Sequence, residues 1–193
     1  MKKNLNQVKF LLAVIAVVSI AFVSCSKDEE ETPPTGTADF NVSLENSAAK
    51  KSSVSITSVN IDIQKVSIHT SADTSTNSGW YELEVNTGIY DLLDYESGND
   101  TIIGFDPVIT AQRISQIRLV LGSNNSVVDD GNTYPLETPS AQTSGLKIQV
   151  NADLQPNESY KVVLDFDSDK SVKKTGNDKY KLQPVIKAAL VQL

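Results

Sequence analysis

The sequence predicts an all-β domain, an antiparallel β-sandwich, and three observations predict it. From Ala38 onward apolar residues recur with a period of two rather than 3.6, as in Leu146, Ile148 and Val150 or Tyr160, Val162, Leu164 and Phe166. Clusters of Gly, Pro, Asn, Asp and Ser interrupt this alternation at short intervals. No long amphipathic helical period occurs in the same region. Short strands with one apolar face each bury those faces by packing two sheets together.

The first element is not part of that domain. Lys2, Lys3 and Lys9 make a basic start, Phe10 to Val23 is almost wholly apolar, and small Ser24 precedes Cys25. This order predicts a secretory signal peptide over residues 1–24. The apolar run is shorter than the roughly 20 residues of a spanning helix, although an uncleaved anchor is the alternative reading. Cys25 is the sole cysteine, and Phe22-Val23-Ser24-Cys25 resembles a lipobox with looser residues than usual before the cysteine. Cys25 is therefore the expected lipidation site, and several acyl chains on one residue anchor a protein stably in a membrane. Lipidation of Cys25, the sole cysteine, would leave no free thiol for a disulfide, a nucleophile or a thiolate metal site.

Residues 25–37 form the second element, an expected disordered tether. Ser26 to Thr37 contains no aliphatic or aromatic residue, an acidic run and two prolines. Lys27, Asp28 and Glu29 follow Cys25 after one residue and resemble the lipoprotein export signal of Bacteroidetes. That resemblance implies display on the outer surface of the outer membrane; the alternative is a solvated linker. Losing the three lysines of residues 1–24 takes the net charge from −7 to −10. Such an acidic chain is poorly suited to nucleic acid or to anionic lipid headgroups as partners.

The sandwich is expected over residues 38–193. Phe40, Val42 and Leu44 mark its first strand. Val59, Ile61 and Ile63 continue as Val66 and Ile68, with one extra residue at Gln64-Lys65 that predicts a β-bulge. A single helical turn is expected around Tyr90 to Tyr95. Ile117, Leu119 and Leu121 mark the next strand. Asp130-Gly131 marks a hairpin turn. The Leu146 and Tyr160 strands follow. Leu182 and Ile186 are read as one last strand, with Pro184 at an edge or bulge. Ile61, Ile63, Trp80, Leu119, Ile148, Leu164 and Phe166 are expected in the core.

An ordered set of stretches carries a family resemblance: Val59 to Ile63 with Val66 to His69, Gly79-Trp80, Tyr90 to Leu93, Gln116 to Leu119, Pro139 to Lys147, and Leu164 to Asp167. Together they resemble the bacterial and archaeal family called domain of unknown function 4382 over about Ala38 to Val191. The resemblance implies a secreted or surface β-sandwich, immunoglobulin-like or transthyretin-like in kind. It implies no reaction.

The residues point to no catalytic site. His69 is the only histidine, which excludes His-pair zinc motifs, and no Gly-x-Ser-x-Gly elbow accompanies it. Paired carboxylates leave glycoside chemistry as a minor reading. Adjacent Trp80 and Tyr81 point opposite ways on a strand. Trp80 is read as core, and a sugar-stacking ring is the alternative. The polar loop Pro139 to Lys147 serves either a ligand or its own turn. Asp165, Asp167 and Asp169 alternate at the end of a strand, with carboxylates about 6–7 Å apart along the backbone, and are candidate calcium ligands. No other cofactor is expected. Two function classes follow: a non-catalytic, lipid-anchored binding or adhesion module with a glycan or protein ligand, or a pilin-like structural subunit. The second would use Val185 to Leu193, apolar on both faces, as a donated strand; simple closure of the sandwich is the preferred role for that segment.

Overall fold

The period-two segments form two sheets packed face to face. The computed structural model describes residues 36–48, 55–70, 79–96, 98–110, 112–176 and 178–193. Cys25, Lys27, Asp28 and Glu29 lie outside the described residues, and so does the Phe10–Val23 run. The described residues fall within one unit, Pro33–Leu193. Its strands are β1 (Thr37–Glu45), β2 (Ile56–Thr70), β3 (Trp80–Glu82), β4 (Glu84–Val85), β5 (Gly88–Asp91), β6 (Thr101–Thr110) and β7 (Arg113–Leu121). They continue with β8 (Ser126–Asp129), β9 (Asn132–Glu137), β10 (Leu146–Asp153), β11 (Ser159–Phe166), β12 (Val172–Lys174), β13 (Tyr180–Leu182) and β14 (Ile186–Gln192).

One sheet runs β14-β11-β1-β6-β4. The other runs β10-β7-β2-β8-β9-β13-β12, with β3 and β5 paired to the far edge of β2. The all-β sandwich is thus as expected. Its pairing is not wholly antiparallel: β1 runs parallel to β11, and β13 parallel to β9. Alternation specifies which face a residue takes and carries no information on strand direction.

Register explains the core. Phe40, Val42 and Leu44 of β1 stand opposite Tyr160, Val162 and Leu164 of β11. In the facing sheet Ile68, Ile117 and Ile148 form one cross-strand row. All of these are buried, as are Ile61, Ile63, Leu119 and Phe166. Burying a large aliphatic or aromatic side chain contributes about 1.5–3 kcal/mol, so these rows hold the sheets together. The sheets approach closely at Gly104, where an added Cβ would lie 3.0 Å from Val66 Cβ.

The bulge falls where the parity breaks. Along β2 the pairing with β7 shifts register between Ile63 and Lys65, and Gln64 and Lys65 are both exposed. Asp130 and Gly131, with φ of 48° and 75°, turn the β8–β9 hairpin. Both central residues are left-handed, which fits the Asp-Gly preference of a two-residue turn. The helical turn is Leu92–Asp94, capped by Asp91, whose carboxylate accepts from Leu93 N at 3.0 Å and from Val59 N at 2.9 Å.

Two expectations are corrected. The single C-terminal strand is two strands in different sheets, β13 and β14, and Pro184 lies in the crossing between them. Ser171 holds that crossing: its carbonyl accepts from Gln183 N at 2.7 Å and its hydroxyl from Val185 N at 2.8 Å. Trp80 is not in the core. It lies half-buried on the other side of its sheet, opposite His69.

Candidate ligand-binding face

The outer face of the larger sheet carries two cross-strand rows. One reads Gln149, Gln116, His69, Trp80 across β10, β7, β2 and β3; the next reads Lys147, Arg118, Ser67, Glu82. Residues directly opposite one another share a face, so these eight side chains all point away from the core. The alternation of β2 requires this: Ile68 and Val66 go inward, so His69 and Ser67 go outward.

Trp80 organises the face. Its indole reaches across β2, and the Arg118 guanidinium carbon lies 4.4 Å from the ring centroid. Lys147 Nζ lies 5.7 Å from the same ring. His69 packs edge-on against it, with ring centroids 5.1 Å apart. Ser67, in the row between, is buried with its hydroxyl unpartnered, and Arg118 Nε is likewise buried without an acceptor. Two glycines make room. A Cβ on Gly79 would lie 2.7 Å from His69 Nε2, and one on Gly145 would lie 2.7 Å from Arg118 Cγ. Gly145 also has φ of 73°, which disfavours any side chain there.

Arg118 and Lys147 stand directly opposite each other across β7 and β10, and like charges so placed repel. Neither has a carboxylate partner among the described residues. The nearest acid in their row, Glu82, is paired with Lys65 at 3.1 Å. The indole face attracts cations through its quadrupole and so holds both here. The result is a pinned, forked donor beside a second positive charge on a chain whose net charge is −7.

His69 does not form an activated serine pair. Its Nδ1 lies 3.0 Å from Ser115 Oγ, while that hydroxyl donates to the His69 carbonyl at 3.1 Å. With its proton directed there, the hydroxyl accepts from Nδ1–H, the reverse of what nucleophile activation requires.

The structure gives two of the three candidate calcium ligands separate partners. Asp165 accepts from Ser47 N at 2.8 Å and Ser47 Oγ at 2.6 Å. Asp167 caps the short helix α1 (Ser168–Ser171), accepting from Lys170 N at 3.0 Å and Lys170 Nζ at 2.5 Å. The Lys170 ammonium hydrogen-bonded to it holds the Asp167 carboxyl below the usual range. Asp169 lies in the first turn of that helix. Among the described residues no group of three or more His, Cys, Asp or Glu side chains is arranged to hold a metal ion.

The polar loop Pro139 to Lys147 serves its own turn. The Ser140 carbonyl accepts from Thr143 N, Ser144 N and Gly145 N, and Gln142 Nε2 donates to Thr138 Oγ1 at 3.1 Å. Its contribution to the outer face comes from its end, where Gly145 and Lys147 flank Arg118.

A second polar cluster lay hidden in the sequence because its members are far apart. The buried carboxylate of Asp129 accepts from the hydroxyls of Ser55 and Tyr180 and from Lys174 Nζ at 3.1 Å. Hydrogen bonds from Ser55, Tyr180 and Lys174 lower its pKa to about 2. It ties β8 to β12 and β13 and to the residue preceding β2, a bracing role within the smaller end of the sheet.

No curated protein and no solved structure matches the chain. The family model described as Domain of unknown function (DUF4382) matches residues 35–184, which takes in all fourteen strands but the last. The chain belongs to the family of domain of unknown function DUF4382.

Proposed function

We propose that this is a non-catalytic, lipid-anchored protein of the cell envelope whose sandwich serves as a binding or adhesion module, displayed on the outer surface. The observation that supports the anchor is the order of basic, apolar and small residues ending at the sole cysteine, Cys25. Lys27, Asp28 and Glu29 support surface display. The aromatic and cationic face of the larger sheet supports binding, since its charged groups have no carboxylate partners among the described residues. Membrane partnership through the lipid is part of this reading; nucleic acid is not.

The test uses cells expressing the full chain. Cys25→Ala should abolish detergent partitioning and leave the chain unprocessed or soluble. Protease added to intact cells should remove the domain of the parent protein. Replacing Lys27, Asp28 and Glu29 by Ala should protect it. Unchanged partitioning of the Cys25→Ala protein would end the anchoring reading, and equal digestion of both forms would end the display reading.

A structural-subunit reading has one observation in its favour. β14 is an edge strand with Leu190 and Val191 each 40% exposed, and such an edge accepts a further strand.

A further inference from the structure

We infer that the Trp80–Arg118–Lys147 cluster binds the carboxylate of an acidic sugar, a uronate within a glycan chain. The inference rests on the binding-module reading and supplies its ligand class.

Charge comes first. Two cations converge over one indole, 4.4 Å and 5.7 Å from its centroid, and no carboxylate neutralises either among the described residues. Five of the eleven described cations, Lys65, Arg113, Lys161, Lys170 and Lys174, are paired with an acid. Arg118 and Lys147 are among the six that are not, and they stand directly opposite each other over a single indole. Their mutual repulsion falls when an anion sits between them.

Geometry comes second. The indole fixes the guanidinium, and a fixed planar fork matches a planar carboxylate through two parallel hydrogen bonds. The indole face that would stack on a neutral sugar is occupied by Arg118. Recognition therefore passes to the guanidinium that the ring holds. Arg118 Nε and Ser67 Oγ are both buried and unpartnered, so the guanidinium has no acceptor among the described residues.

The neighbouring row selects among anions. Gln116 and Gln149 stand beside Arg118 and Lys147 on the same face, and their amides have no partner among the described residues. Neutral amides suit hydroxyl groups that accompany a carboxylate. A polyphosphate or an acidic peptide brings charge without neighbouring hydroxyls, whereas each uronate unit carries hydroxyls beside its carboxylate.

Trp80 is the only tryptophan, so its emission reports on this site alone. The full chain in detergent would be titrated with tetragalacturonate, its methyl ester, inorganic phosphate and tetra-aspartate. Tetragalacturonate should change the emission saturably, and the methyl ester should not. Arg118→Ala should weaken binding about tenfold or more, as expected for a charge-assisted bidentate pair. Lys147→Ala and Gln149→Ala, both at exposed positions, should weaken it less and keep the test sound if Arg118→Ala folds poorly. Equal binding of the ester, or unchanged affinity in all three variants, would overturn the inference. So would phosphate or tetra-aspartate binding as tightly as the uronate. Absence of any titration would also overturn it, while the protease and partitioning results on cells would still stand or fall separately.

Discussion

Asp129 accepts three hydrogen bonds from residues on three different segments, and a carboxylate does that only while it is ionised. Its donors are Ser55, Tyr180 and Lys174, and together they lower its pKa to about 2. Burial raises the Tyr180 pKa, and the adjacent Asp129 raises it further, so the phenol keeps the proton that it donates. The sign of the pH effect follows by linkage. An unfolded aspartate titrates near 3.9, above the folded value, so the folded state binds fewer protons in between. The stabilisation is complete above about pH 4 and is lost as pH falls towards 2. Asp129→Asn should therefore melt below the parent protein at pH 6. The difference should narrow between pH 4 and pH 2 in a series of melting curves. A difference that stays constant across that window would place the effect of Asn in lost packing instead of lost charge.

At the scale of the element, β2 shows why some of the fold could be read from the sequence and some could not. Its bulge was legible because fifteen residues of alternation make one parity break conspicuous, and the break lies at Gln64-Lys65. β6 was missed for the opposite reason. Adjacent Ile102 and Ile103 point outward and inward, Gly104 supplies no side chain, and Pro107 interrupts the run. Trp80 was misassigned because alternation places Trp80 and Tyr81 on opposite faces without saying which face is the core. The acid run at Asp165 to Asp169 gave the spacing of ligands, but not the Ser47 and Lys170 donors that take up two of the carboxylates. Arg118 and Lys147 gave no signal at all, since their pairing with Trp80 depends on three strands meeting. The bulge leads to a prediction. Deleting Gln64 and Lys65 together sets Ile63 next to Val66, so strict alternation turns Val66 and Ile68 to the outer face and brings Ser67 inward. Deleting Gln64 alone leaves strict alternation, with Lys65, Val66, Ser67 and Ile68 on their native faces. Each misplaced aliphatic costs about 1.5–3 kcal/mol, against a typical total of about 5–15 kcal/mol. Urea titrations should show the double deletion unfolded or close to it and the single deletion folded with a lower midpoint. Equal midpoints would mean that the bulge does not set the register.

At the scale of the whole molecule, the question is whether β14 belongs to its own sandwich or to a neighbour's. Seven residues pair it with β11, from Phe166 opposite Ile186 to Tyr160 opposite Gln192, and it lies against β10 of the facing sheet. β11 carries four buried core residues, Tyr160, Val162, Leu164 and Phe166. Without β14 this central strand becomes an edge, with a row of unpaired backbone groups beside the core. A strand in this position closes the fold, whereas a donated strand leaves an acceptor groove that waits for it. Lys187 is the one charge on the outer edge of β14, and an edge lysine opposes pairing with a further strand. The full chain in detergent should therefore elute as one protomer per micelle over a wide concentration range. Truncation after Val185 should yield an unfolded or aggregating chain that a synthetic peptide of residues 186–193 does not restore. A ladder of oligomers from the parent chain, or recovery of the truncated chain by the peptide in trans, would mean that β14 exchanges between copies. That result would move the protein from binding module to structural subunit.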